Sequence, residues 1–177
     1  MVKSDNSIWF TDPSYGIESD YEGHKGESEI GRNNVYRVDP DSGKVTIVAG
    51  DFDCPNGLAF SPDESKLYVT DTGLKQTRHM RVFDVQEHGT LTGGEIAATA
   101  TNGGFDGFRF DDEGRIWMSA ADGVHCLAPD GSLIGKVYVP ELVANVCFGG
   151  VKRNRLFMAA SQSIYALYVN TQGALGG

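Results

Sequence analysis

The sequence predicts an all-β fold, a β-propeller of four-stranded blades with about four blades present, and two observations carry that prediction. Four segments repeat one pattern, an apolar pair, a polar turn and an aliphatic-aromatic-apolar strand: "VKSDNSIWFTD" (2–12), "LAFSPDESKLYVTD" (58–71), "FRFDDEGRIWMSA" (108–120) and "VCFGGVKRNRLFMAA" (146–160). Their aromatic anchors, Trp9, Tyr68, Trp117 and Phe157, recur roughly every 40 to 60 residues, the spacing of a propeller blade. The second observation is that no window of twelve or more residues shows helical period with caps. An irregular β-sandwich would require the four similar turns to be coincidence. A closed four-bladed ring would require "NTQGALGG" (170–177) or the first residues to supply an outer strand.

Taken in order, the first blade has its anchor strand in "SIWFTD" (7–12) and two further strands joined by an Asp/Gly turn in "VYRVDPDSGKVTIVAG" (35–50). Between them lies a long acidic loop, "GIESDYEGHKGESEIGRNN" (16–34), of the length that often forms a lid. The second blade begins with an inner strand from about Asn56 to Phe60 and continues through "MRVFDVQEHGTLTGGEIAATA" (80–100). The third runs from 108 through "GVHCLAPDGSLIGKVYV" (123–139). The fourth has Val146–Phe148, Leu156–Ala160 and "SIYALYV" (163–169), and is expected to lack an outer strand. Aligning the turns puts Val2 opposite Phe60, so the first blade is expected to lack most of its inner strand. Residues 1–177 therefore read as a single propeller domain, incomplete at both ends and part of a larger ring, because unpaired edges are a liability.

A chain of 177 residues buries roughly 70% of its unfolded surface, enough for one domain. With a formal net charge of −9 and no basic run longer than "KRNR" (152–155), nucleic acid is excluded as a partner. No stretch approaches 18 apolar residues, so no membrane partner is expected. "MVKSDNSIWF" lacks the order of a signal peptide. Compartment stays open, with the cytoplasm as the default and the periplasm following if an upstream signal is missing. Cys54, Cys126 and Cys147 are widely spaced and read as buried free thiols rather than a zinc site or a disulfide framework. No G-x-S-x-G elbow and no phosphate-binding loop is present, and His79, His88 and His125 fall in or beside outer-strand segments, where structural or surface roles are expected.

"SIWFTDPSYGI" (7–17), "YEGHKGESE" (21–29), "VYRVDPDSGKV" (35–45), "CPNGLAFSPDESKLYVTDT" (54–72), "FDGFRFDDEGRIWMSAADGVHCLAPDG" (105–131) and "VCFGGVKRNRLFMAAS" (146–161) together resemble the C-terminal part of the senescence marker protein, gluconolactonase and luciferin-regenerating enzyme family, its bacterial gluconolactonase branch above all. The resemblance covers essentially the whole chain. It implies a six-bladed propeller with one divalent cation, commonly calcium, on the central axis, and hydrolysis of sugar lactones such as gluconolactone. Asn56 of "PNG" and Asp106 of "FDGF" match positions of the family's metal set, and Asp106 also matches the place of a proton acceptor. The family's metal-binding Glu of the first blade and a substrate-contacting Asn fall at positions before Met1. Two side chains and water make a weak calcium site.

The residues themselves agree in part. Asn56 stands four residues before Phe60 and Asp106 four before Phe110, so both head inner strands at the same axial end. Hard oxygen donors suit calcium or magnesium. Pro-Asn-Gly is equally turn chemistry, and Asp106 before Gly107 is equally a turn residue. Tyr15, His24 and Arg32, in or flanking the acidic loop, are the candidate contacts to a small-molecule sugar lactone, with solvated side chains as the alternative. The competing function is a non-catalytic, truncated propeller that self-associates as a homo-oligomer through open blade edges, two copies bringing roughly seven to eight blades.

Overall fold

The computed structural model describes residues 1–21, 23–73 and 78–175. Four antiparallel sheets follow one another along the chain, each an up-and-down meander. The first comprises β1 (Ile8–Asp12), β2 (Asn34–Val38) and β3 (Val45–Ala49). The second comprises β4 (Pro55–Phe60), β5 (Lys66–Thr72), β6 (Arg78–Val85) and β7 (Leu91–Thr99). The third comprises β8 (Phe108–Phe110), β9 (Ile116–Ala120), β10 (Gly123–Leu127) and β11 (Leu133–Tyr138). The fourth comprises β12 (Val143–Gly149), β13 (Arg155–Ala160) and β14 (Ile164–Tyr168). Among the described residues helix is confined to one turn at Tyr15–Glu18 (α1), opening one residue before the stretch that the sequence offers as loop, and a 3₁₀ turn at Glu87–Gly89.

The repeated turns have a common physical basis. Each contains a residue with positive φ three or four positions before its aromatic anchor: Asn6 (65°), Glu64 (57°), Gly114 (77°) and Arg153 (48°). In three of them an Asp carboxylate caps the bend. Asp5 accepts the Ser7 N–H (2.9 Å), Asp63 the Ser65 N–H (3.1 Å), and buried Asp111 the Glu113 and Arg115 N–H groups (3.1 and 2.9 Å). The anchors close on the same turns, Trp9 Nε1 donating to Ser7 Oγ (2.8 Å) and Trp117 Nε1 to Asp111 Oδ2 (2.9 Å). The sequence repeat is therefore a repeat of turn chemistry joined to a packed ring.

The core lies between sheets. Trp9, Phe60, Leu67 and Phe83 fill the first junction, Tyr68, Met80, Phe108 and Met118 the second, and Val124, Val146, Leu156 and Met158 the third. Strand β5, flanked on both faces, is buried at its five central residues, whereas β14 alternates exposed and half-buried positions. Cys54 and Cys126 are buried as expected, but Cys147 is exposed, because it lies on the outward face of β12 beside Phe157. His125 is buried on β10, edge-on to Phe105 and paired with Asp122, a structural role.

At the chain ends, Val2 forms an isolated bridge to Ile8, a stub in the inner position of the first sheet. The C-terminal segment leaves β14 and crosses to the third sheet, where Gly173 bridges Asp111 and the Ala174 N–H reaches Phe110 O (3.0 Å). It adds no outer strand to the fourth sheet, so the four-bladed closure weighed from sequence is not formed; residues 176–177 lie outside the described range.

The tight turn between β9 and β10 also sets an acid sensitivity. Burial raises the Asp122 carboxyl, but hydrogen bonds from Lys136 (2.9 Å) and His125 (2.6 Å) outweigh it and hold the group at about 2. A carboxyl lowered by folding stabilises the fold fully above its unfolded value of about 3.9 and loses that contribution as pH falls toward 2. Denaturant melts of Asp122→Asn against the parent are expected to differ most at pH 6 and by clearly less at pH 2.5, the remainder being lost only below about pH 2. A constant difference at both pH values would refute this assignment.

Candidate active site

The Pro55-Asn56-Gly57 head of β4 is a bulge: register with β5 holds at Pro55↔Asp71, then resumes at Leu58↔Val69. Bulges re-aim side chains, and this one lifts Asn56 out of the ladder. The loop before it is tied from below. Buried Asp71 on β5 accepts the N–H groups of Cys54 (2.8 Å) and Asp53 (3.0 Å), and the Asn33 side-chain amide donates to Asp53 O. From the first sheet, Thr11 Oγ1 donates to Asn56 O (2.7 Å).

The next inner-strand head abuts this one. A Cβ on Gly57 would stand 2.3 Å from Asp106 O, so only glycine allows the two backbones to meet. Buried Thr70 bridges them, its Oγ1 lying 3.2 Å from Gly57 O and 3.1 Å from Asp106 O, and Thr72 Oγ1 donates to Phe105 O (2.7 Å). The same join is made once more. A Cβ on Gly107 would fall 2.3 Å from Asn145 Oδ1, the Gly107 N–H donates to Ala144 O (2.9 Å), and Ser119 Oγ donates to that carbonyl (3.0 Å). Three strand heads thus form one continuous row at one axial end: Asn56-Gly57, Asp106-Gly107 and Ala144-Asn145.

Of the residues singled out in sequence, the structure brings Asn56, Asp106 and Tyr15 together. Tyr15, opening α1 over the row, donates its hydroxyl to Thr72 O (3.2 Å). Burial, and then the charges of Cys54 and Asp106, push its phenol well above the ordinary range, so it keeps its proton at any physiological pH. Arg32 is exposed and lines a cleft of about 650 Å³ of mixed polarity, with Asp51, Asp53, Arg81, Phe52 and Ile96 among its walls. His24 is exposed, held by its backbone N–H to Gly16 O (3.1 Å), and its side chain makes no hydrogen bond or ion pair among the described residues. Sequence reasoning passed over Asp71, Asn145 and the hydroxyls Thr11, Thr70 and Ser119. The hydroxyls had a signal, since each stands two residues after its anchor, Trp9, Tyr68 or Trp117.

For a cation, the row offers one carboxylate and amide oxygens, a hard, oxygen-only donor set that fits calcium or magnesium rather than zinc. Among the described residues no cluster of three His, Cys, Asp or Glu side chains accompanies it.

Four antiparallel sheets packed face to face, with a polar row of inner-strand heads at one end, define a β-propeller fold. Residues 1–162 match the family model described as the SMP-30/Gluconolactonase/LRE-like region, and the chain belongs to this family. It is 31% identical to a gluconolactonase of Zymomonas mobilis, the match covering 94% of this chain and 48% of that one. The solved structure of a gluconolactonase from Xanthomonas campestris superposes with a TM-score of 0.88 at 33% identity, over 94% of this chain and 55% of that one. A calcium-binding regucalcin from Agrobacterium tumefaciens gives a TM-score of 0.75 at 25% identity, over 96% and 60%. The chain spans about half the length of the curated relatives it matches.

Proposed function

We propose that the axial row is the catalytic end of a sugar-lactone hydrolase, with Asn56 and Asp106 as ligands of a divalent cation, calcium by its donor set. The observation that carries this reading is the contact of the Asn56 and Asp106 strand heads, bridged by the Thr70 hydroxyl. The relatives' names supply the substrate class.

When bound, the cation would supply Lewis-acid stabilisation of the oxygen charge that develops as a lactone opens. Asp106 accepts the proton of the attacking water. Water oxygen bonds to the carbonyl carbon, the ring carbon–oxygen bond breaks, and the proton passes back to the ring oxygen, which leaves as a hydroxyl of the open-chain acid. Tyr15, its single O–H donated to Thr72 O, accepts a hydrogen bond from a substrate hydroxyl. Arg32 and His24, on the acidic loop, contact the hydroxyls farther from the reacting carbon. The test is a pH-stat assay of gluconolactone opening by the 177-residue chain with calcium and with a chelator. Calcium-dependent opening above the spontaneous rate is expected, and its absence at millimolar calcium would sink the proposal.

A second reading draws on the apolar side chains left exposed on the outer faces of the end sheets: Ile8, Phe10 and Ile47 on the first, Ile164 and Tyr168 on the fourth. Here two copies cover these faces for each other and the chain is not itself an enzyme. Sedimentation of the same sample decides: a concentration-independent monomer excludes it.

A further inference from the structure

We infer that Asn145 is a substrate-binding residue of the axial site, donating its side-chain N–H groups to an oxygen of the sugar lactone. The inference rests on the preceding reading of the Asn56–Asp106 row and adds to it a group of different chemistry. Like Asn56, Asn145 sits in a bulge at the axial head of an inner strand: β12 pairs at Val143↔Ala160 and resumes at Asn145↔Ala159, with Ala144 inserted. Two bulges at the same end of two inner strands, each carrying an Asn, point to selection of where those side chains project rather than to ladder irregularity. The Asn145 carboxamide lies against Gly107, the residue after Asp106, where a Cβ would fall 2.3 Å from Asn145 Oδ1.

The orientation of that carboxamide is fixed by its own backbone. Asn145 Oδ1 accepts the Val146 N–H (2.9 Å), and a backbone N–H can only donate, so the atom facing it is the oxygen. Nδ2, with two donors, is thereby turned away from the strand on an exposed side chain. An amide nitrogen cannot ligate a cation, so Asn145 does not extend the metal set as a third Asn or Asp in a row would suggest. It offers hydrogen-bond donors beside the proposed cation, where a lactone's carbonyl, ring or hydroxyl oxygens would sit.

The experiment is calorimetry on the whole chain, first with calcium alone and then, in saturating calcium, with D-gluconate, the opened form of the six-carbon lactone. Asn145→Ala is expected to weaken gluconate at least tenfold while leaving calcium affinity within about twofold. Asn145→Asp keeps the shape and the Val146 hydrogen bond but replaces donors by an acceptor. It is expected to lose gluconate and to bind calcium more tightly, a split that a merely structural role would not give and that decides the matter if the alanine variant folds poorly. Unchanged gluconate affinity in both variants overturns the assignment and leaves the axial reading intact. Joint loss of calcium and gluconate in a folded Asn145→Ala also overturns it, since that is the behaviour of a ligand. If the parent binds neither and Asp106→Ala is indistinguishable from it, the axial reading and this inference fall together.

Discussion

Asp106→Ala is expected to take up no calcium and to open gluconolactone at least ~10³-fold more slowly than the parent. The effect follows from which atoms do what. The packing at this point runs through the Asp106 carbonyl, which receives Thr70 Oγ1 and meets Gly57, and alanine keeps that carbonyl. What alanine removes is the carboxylate, which the proposed chemistry uses as both ligand and proton acceptor. Asp106→Asn divides the two uses. It keeps an oxygen donor, so calcium should still bind, about tenfold more weakly, while hydrolysis stays lost for want of a base. Calcium-dependent hydrolysis surviving in either variant would remove Asp106 from the mechanism.

Asp71→Ala is expected to act on the same site without touching substrate or cation. Its buried carboxylate holds the Cys54 and Asp53 N–H groups, and hydrogen bonds to a charged acceptor contribute roughly 1.5–3 kcal/mol each. Losing them should cost about 3 kcal/mol or more of stability, read from denaturant melts. The loop they hold leads straight into Asn56, so calcium should weaken by about tenfold, the usual effect of losing a group that orients a ligand. Unchanged calcium affinity in Asp71→Ala, measured where the variant is still folded, would show that Asn56 is placed without this loop. Asp71→Asn, able to accept but uncharged, should fall between the two.

The blades were readable because a left-handed turn residue, an Asp cap and an aromatic anchor recur together, and such turn chemistry is local. The alignment of Asn56 with Asp106 was readable for the same reason: both stand four residues before a Phe that ends the inner strand. That count passes over Asn145, which stands three residues before Phe148 in unbroken register with β13, the inserted Ala144 lying before it. Counting by four selects Ala144, which carries no chemistry. Thr11, Thr70 and Ser119 were passed over because Thr and Ser in a strand are unremarkable as β-formers, and their partners lie on another sheet. Cys147 was expected to be buried by composition alone, and its exposure depends on which face of β12 has a neighbour.

The hydroxyl joins carry a consequence for how such proteins could be recombined. Thr11 holds Asn56, Thr70 holds Asp106 and Ser119 holds Ala144, so in each case the residue fixing a strand head belongs to the sheet before it. At the matching place in the last sheet, two residues after Phe157, stands Ala159, which has no hydroxyl to give. A chimera cut at the visible sheet boundaries would transplant each strand head without its clamp. Cut instead after the inner strand, so that a cassette runs from one anchor strand through the following inner strand, the clamp and its target travel together. The heritable unit is then offset by one strand from the unit the eye picks out, and swaps made on the offset frame should keep their ligand geometry where swaps on the visible frame lose it.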